Sequence, residues 1–125
     1  MIDFHCHLDL YQNSKEMLSV VSKNNIFTLV VTTSPRAWQM TSQIFSGYEN
    51  IKVAIGMHPE IISSKFNERS LLLSSIPKTR FVGEVGIDGS DKYKDTLSLQ
   101  ESIFTDILIK CQSGGKILSI HSRNA

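Results

Sequence analysis

Apolar residues in this chain gather in short runs separated by amphipathic stretches, and the two kinds of segment alternate from end to end. Residues 2–5, 27–33, 52–56, 81–87 and 116–120 are brief, rich in β-branched and aromatic side chains, and bounded by polar or glycine positions, so they predict five buried strands. Between them the period lengthens. Residues 14–25 carry Met17, Leu18 and Val21 on one stripe and predict a helix. A second begins at a Ser34 cap with Pro35 in its first position, turns Trp38, Ile44 and Phe45 inward, and stops at Gly47. The third spans 67–76, capped by Asn67 and halted by Pro77. The longest starts at an Asp95 cap and repeats Leu97, Phe104, Ile107, Leu108 and Cys111 until Gly114 and Gly115 end it.

A strand–helix alternation of this kind implies a parallel sheet and an α/β protein. An open doubly wound sheet and a barrel both satisfy it. The distribution of polar residues separates them, because every histidine stands at the downstream end of a predicted strand: His5 and His7 in IDFHCH, His58 in VAIGMHP, His121 in KILSIHS. Doubly wound sheets gather chemistry at one switch point, whereas a barrel collects it from several strand ends at one face. The fold expected is therefore a set of parallel (β/α) repeats, the first five strands of a TIM-barrel-like fold with a metal site at the strand ends. Residues 1–125 read as a single domain, the N-terminal part of a (β/α)8 barrel. Such barrels take about 250 residues, so the chain is expected to be incomplete as a barrel and to belong to a longer protein or an assembly.

Composition narrows the partners. With 41% hydrophobic and 20% charged residues, disorder and fibrous folds are excluded, and a formal net charge of +1 supplies no general attraction to nucleic acid. Binding to nucleic acid would need a local patch or metal ions. No apolar run approaches membrane-spanning length, and the first strand begins too early for a signal peptide, so the cytoplasm is the expected compartment and no membrane partner is expected. Two cysteines, Cys6 and Cys111, suit a reducing environment.

Side chains alternate across a strand, so Asp3, His5 and His7 share one face and Cys6 takes the other, toward the core. A His-x-His pair at a strand mouth sets two imidazoles side by side, a good divalent-cation ligand; one buried and one exposed histidine is the alternative. Glu84 lies inside an apolar, glycine-rich strand where an unpaired carboxylate is costly. It needs a cation, either a metal or a structural lysine or arginine. Asp88 falls on the same face at the strand mouth, and Ile117, Ser119, His121 and Arg123 share a face of the fifth strand.

Together these segments resemble the TatD family of metal-dependent hydrolases, members of the amidohydrolase-like TIM barrels. The resemblance rests on IDFHCHLD, GMHPE, VGEVGID, LQESIF and IHSRNA, in the family's order and spacing over the whole chain. Within the family, SPRAW after the second strand and EVGIDGS after the fourth look most like the TatD-like component of Qat anti-phage defence systems. The resemblance implies two divalent ions (zinc, manganese, magnesium or nickel). His5, His7 and Glu84 would bind the first; Glu84, bridging, and His121 the second. It implies substrate contacts from His58 and Arg123, with Asp88 grouped with them at the mouth, and a general base beyond Ala125. Two departures stand out: Asn124 where many members carry aspartate, and Gly89-Ser90 where bulky aromatics are common. The implied activity is a phosphodiesterase, foremost a DNase with DNA as substrate and defence-complex proteins as partners. Amide or ester hydrolysis is disfavoured because related barrels bridge their metals with a lysine where Glu84 stands. The reading from a different class is a non-catalytic or truncated TatD-like subunit acting through partner binding.

Overall fold

The computed structural model describes residues 2–6, 26–112 and 114–125, and within 2–6 the backbone and the His5 side chain. Its strands are β1 (Ile2–Cys6), β2 (Phe27–Val31), β3 (Ile51–Ala54), β4 (Phe81–Asp88) and β5 (Ile117–Arg123). Its helices are α1 (Pro35–Phe45), α2 (Ile62–Lys65), α3 (Arg69–Ser75) and α4 (Leu97–Cys111). The predicted helix over 14–25, His7 and the Cys6 side chain lie outside the described residues.

All pairings are parallel: β1 with β2, β2 with β3, and β4 with β5. Ile55, just past β3, joins the two groups. It lies opposite Val82, its N–H donates to the Phe81 carbonyl at 3.1 Å, and its carbonyl accepts from Gly83 at 2.8 Å. The strands therefore run β1-β2-β3-β4-β5, as the repeat pattern predicts. The barrel is not closed. The sheet nevertheless curls until side chains of β1 and β5 meet, with His5 Nδ1 2.8 Å from Ser119 Oγ.

Past Gly83, β4 bends across the end of β2: Thr32 N–H donates to the Gly83 carbonyl and Glu84 N–H to the Thr32 carbonyl, at 3.2 and 2.9 Å. The β4–β5 register slips between Val82 and Val85. An irregularity of that kind re-aims a side chain, and the one re-aimed is Glu84. Gly86 then allows β5 to close in. Its φ is +142°, and a Cβ there would stand 2.0 Å from the His121 carbonyl oxygen.

Helices pack over one face of the strands around Ile55, Met57, Leu72, Val85, Ile103 and Ile107, all at or below 1% exposed. Truncating one of these, Leu72→Ala for example, costs about 2–5 kcal/mol by lost burial and residual cavity. Helix α1 begins as its sequence predicts, with Ser34 Oγ accepting from Ala37 N–H at 3.2 Å. Buried Glu68 also accepts from Arg36 N–H at 2.9 Å, so a carboxylate faces the helix's positive end.

Five local expectations are corrected. Ile44 is 61% exposed because Thr41 and Phe45 occupy the buried stripe of α1, and Leu108 is 43% exposed because Ile103 and Ile107 take that of α4. Asn67 caps nothing: a 3-10 turn, Phe66–Glu68, precedes α3. Asp95 likewise sits in a 3-10 turn, and Thr96 precedes α4 without a side-chain cap. Finally β4 and β5 run longer than predicted, so Asp88, His121 and Arg123 belong to strands, where backbone pairing fixes their positions. No helix among the described residues is long and apolar enough to cross a membrane.

Candidate metal centre

Glu84 is the hub of the strand ends. Its Oε2 faces His5 Nε2 at 3.7 Å, while Oε1 faces His121 Nδ1 at 3.4 Å and His58 Nε2 at 3.6 Å. These separations exceed hydrogen-bond length. They are close to the roughly 3.4 Å between two ligand atoms that share one ion at about 2.1 Å in tetrahedral geometry. Ligand atoms of His58, Glu84 and His121 all lie within 4.8 Å of one another.

What the far nitrogens do decides which lone pairs are free. His121 Nε2 lies 3.0 Å from Asp88 Oδ2. Asp88 is fully buried; burial alone would raise its carboxyl pKa, but Ser90 and His121 beside it outweigh that and hold it at about 2. In the neutral ring, Nε2–H donates to this ionised carboxylate, and the Nδ1 lone pair then faces Glu84 Oε1. Two lone pairs 3.4 Å apart repel unless a cation lies between them. His58 is wired the other way. The Glu60 N–H donates to its Nδ1 at 3.1 Å, so the proton of the neutral ring sits on Nε2, toward Glu84. Burial, the largest influence, lowers the His58 pKa, and His121 lowers it further against the opposing pull of Glu84. The neutral, Nε2–H form follows. His58 is thereby a hydrogen-bond donor in the site, despite its proximity to the other ligand atoms. Its ring meets that of His121 edge-on at 4.4 Å.

Asp88 is held from behind by Gln100, a fully buried amide on α4. Gln100 Oε1 accepts from Asp88 N–H at 2.7 Å, and its Nε2 donates to the carbonyls of Asp88 and Tyr93 and to Thr96 Oγ1, at 3.1, 3.1 and 2.9 Å. Ser90 N–H completes the clamp on Asp88 Oδ1 at 2.9 Å.

Of the residues the sequence singled out, His5, Glu84, His121 and His58 converge at one end of the sheet. Asp88 does not open to a substrate as its position at the strand mouth suggests; it is buried beneath His121. Arg123 is exposed and lines a cavity beside the site. Gln100 and Ser119 escaped a functional reading from sequence. The signal for Gln100 was present, since it is an amide three residues before Ile103 on an otherwise apolar stripe. For Ser119 parity with His121 was the only hint, and a serine on a strand face carries little chemistry by itself.

A family model described as TatD related DNase matches residues 2–125. The chain belongs to that family. It is 30% identical, over 134 aligned residues, to a protein of Buchnera aphidicola subsp. Baizongia pistaciae (strain Bp) named an uncharacterized metal-dependent hydrolase; the match covers 100% of this chain and 50% of that protein. Its fold superposes on the TatD homologue YJJV of Escherichia coli K12 with a TM-score of 0.81 at 19% identity, over 99% of this chain and 51% of that one. The chain thus spans about half the length of the relatives it matches. For a TatD-family member, Gly89 also has a local reason to replace a bulky residue: a Cβ there would lie 2.2 Å from the Asn124 carbonyl oxygen.

Proposed function

We propose that this chain carries the N-terminal half of a metal-dependent phosphodiesterase site, of the DNase type, in which Glu84 bridges two divalent ions. One observation carries the reading: the two oxygens of one nearly buried carboxylate face imidazole nitrogens on opposite sides, and each of those imidazoles has its far nitrogen held by a second group. On the first side His5 turns Nε2 to Glu84 while Nδ1 is tied to Ser119, and His7 is the expected companion ligand. On the second, Asp88 fixes the tautomer and orientation of His121, a carboxylate–histidine arrangement typical of metal ligands. Divalent ions held by these residues would supply Lewis acidity, a means of activating water and compensation of phosphate charge.

The chain's own residues do the rest. His58, protonated at Nε2, donates toward a phosphate oxygen entering beside Glu84, and Arg123 adds positive charge at the mouth. The group that takes the proton of the attacking water is proposed to lie beyond Ala125. Glu84 standing where related amide- and ester-cleaving barrels carry a lysine favours phosphodiesters, and metals held there would supply the positive charge that a net charge of +1 does not. DNA is the substrate class the family description suggests. The finer assignment, a Qat-type defence component with protein partners, rests on the SPRAW and EVGIDGS segments.

Activity is proposed to require cover over β5. Ile117 and Ile120 on that strand are 37% and 54% exposed, and an uncovered apolar strand invites association. The test combines metal analysis of chelator-free protein with a nuclease assay on the longer form and on the 125-residue chain. The expected result is bound divalent metal in both and chelator-sensitive cleavage only in a longer form or an assembly. Cleavage that scales with strictly monomeric 125-residue chain and disappears with chelator would remove the requirement for cover; metal-free protein with no affinity for divalent ions would remove the centre itself.

A further inference from the structure

Beside the metal centre lies a cavity of about 430 Å³, within the usual size of ligand pockets (about 300–1,000 Å³). It begins two residues beyond each of three site residues: Glu60 follows His58, Ser90 follows Asp88, and Arg123 follows His121. The same backbone that sets the site therefore sets the cavity. Tyr93 lines it with Lys92, whose Nζ stands 5.3 Å from the Tyr93 ring centroid, and Asn124 closes the far side from the end of β5.

The lining is not that of a plain anion hole. It joins two cations, Lys92 and Arg123, to an aromatic ring, an amide, a hydroxyl and two carboxylates, Glu60 and Asp91. A bare phosphate would use only the cations. A nucleotide uses the mixture: phosphate on Lys92 and Arg123, base against the ring, base edge on Asn124 and Glu60, while the exposed Asp91 keeps its ion pair with Lys94 at 3.4 Å. The loop is also preorganised. Tyr93 and Lys94 N–H both donate to the Ser90 carbonyl at 2.9 Å, and the Tyr93 carbonyl is held by Gln100. Within it Ser90 is 8% exposed, and its Oγ has no hydrogen-bond partner among the described residues. It lies close enough to Asp88 to favour the ionised carboxylate, but not in hydrogen-bonding geometry. A buried hydroxyl without a partner in a cavity wall is costly unless a ligand engages it.

We propose that this cavity seats the nucleotide next to the scissile phosphate, with Tyr93 as the stacking platform for its base. The proposal rests on the phosphodiesterase reading. Its test is fluorescence anisotropy of the full chain, in Mn²⁺, with a fluorescein-labelled phosphorothioate octathymidylate that resists cleavage. A second probe replaces the bases by abasic residues. Wild type should bind the abasic probe about tenfold more weakly, Tyr93→Leu should weaken octathymidylate binding about tenfold and leave the abasic probe unaffected, and Tyr93→Phe should behave as wild type. Equal wild-type affinity for both probes overturns the subsite, whatever happens to the variants. So does a folded Tyr93→Leu chain that binds octathymidylate normally, and neither result touches the phosphodiesterase reading. Failure of wild type to bind either probe overturns both.

Discussion

The two sides of Glu84 are built alike and supported differently. On each side an imidazole nitrogen faces one carboxylate oxygen while the far nitrogen is tied down. His121 is tied to a buried, ionised carboxylate that Gln100 and Ser90 hold in place. His5 is tied to a neutral hydroxyl on β5, and its side chain is 46% exposed against 20% for His121. A negative charge behind an imidazole raises its basicity and its hold on a cation; a hydroxyl mainly orients the ring. On the proposed two-ion reading, the His121 side should therefore load first and hold its ion more tightly. The difference comes from which strand supplies the support: β4 pairs with β5 from Val85 to Asp88 and is backed by a buried amide, whereas β1 meets β5 through the His5 and Ser119 side chains.

The largest effect expected is from Glu84→Ala, which removes the oxygen facing each side. Divalent-metal content should fall to background at both sites, with the far-ultraviolet circular dichroism of wild type, because the helix-packed core lies elsewhere. Metal content equal to wild type would reduce Glu84 to a structural ion-pair partner. Next, Asp88→Asn keeps the shape but withdraws the charge behind His121, and should weaken the tighter site about 10–100-fold by manganese titration while the weaker site is unchanged. Equal weakening at both sites would mean that the two sides are not independently supported.

The same residue gives a pH dependence whose sign is fixed. The Asp88 carboxyl is depressed from 3.8 to about 2 in the folded chain, so its contribution to stability is complete above its unfolded value and fades as pH falls from about 4 toward 2. In metal-free protein, the gap in thermal midpoint between wild type and Asp88→Asn should close over that interval. A gap that persists below pH 2 would assign the loss to packing rather than to the charge.

How far the sequence discloses this comparison depends on the residue. The strand–helix alternation, the parallel sheet and the convergence of His5, His58, Glu84 and His121 follow from period and strand position alone, because a parallel sheet delivers all downstream ends to one face. The asymmetry does not. Alternation puts Glu84 and Asp88 on one face and makes them look equivalent, but the slip between Val82 and Val85 and the bend at Gly83 turn Glu84 to the mouth while Asp88 stays beneath His121. The reach of Gln100 from α4 to the end of β4 is a tertiary contact that helical period cannot report. The starts of α3 and α4 are not legible either, because a 3-10 turn precedes each and takes in the expected caps Asn67 and Asp95.

Ser119→Ala tests the weaker side. Its loss removes one restraint on the His5 ring without altering charge, so affinity at that site should fall only a few-fold, with no change at the His121 site. A drop as large as that of Asp88→Asn would show that orientation, not charge, dominates on both sides.

The smallest effect on metal binding is expected from His58→Gln, although His58 Nε2 lies as close to Glu84 Oε1 as the ligand nitrogens do. Proximity is not decisive, because a ligand nitrogen needs a lone pair. The Glu60 N–H occupies the Nδ1 lone pair of His58 and leaves the proton on Nε2, the atom facing the site. Coordination through Nε2 would require moving that proton to Nδ1 and breaking the backbone hydrogen bond that opens the turn at Pro59. Glutamine retains a donor at similar reach. Manganese affinity should stay within about twofold of wild type at both sites, while cleavage by the longer form falls, since the donor is displaced from the phosphate. Loss of one bound ion in His58→Gln would make His58 a ligand and move the boundary between the two sides of Glu84.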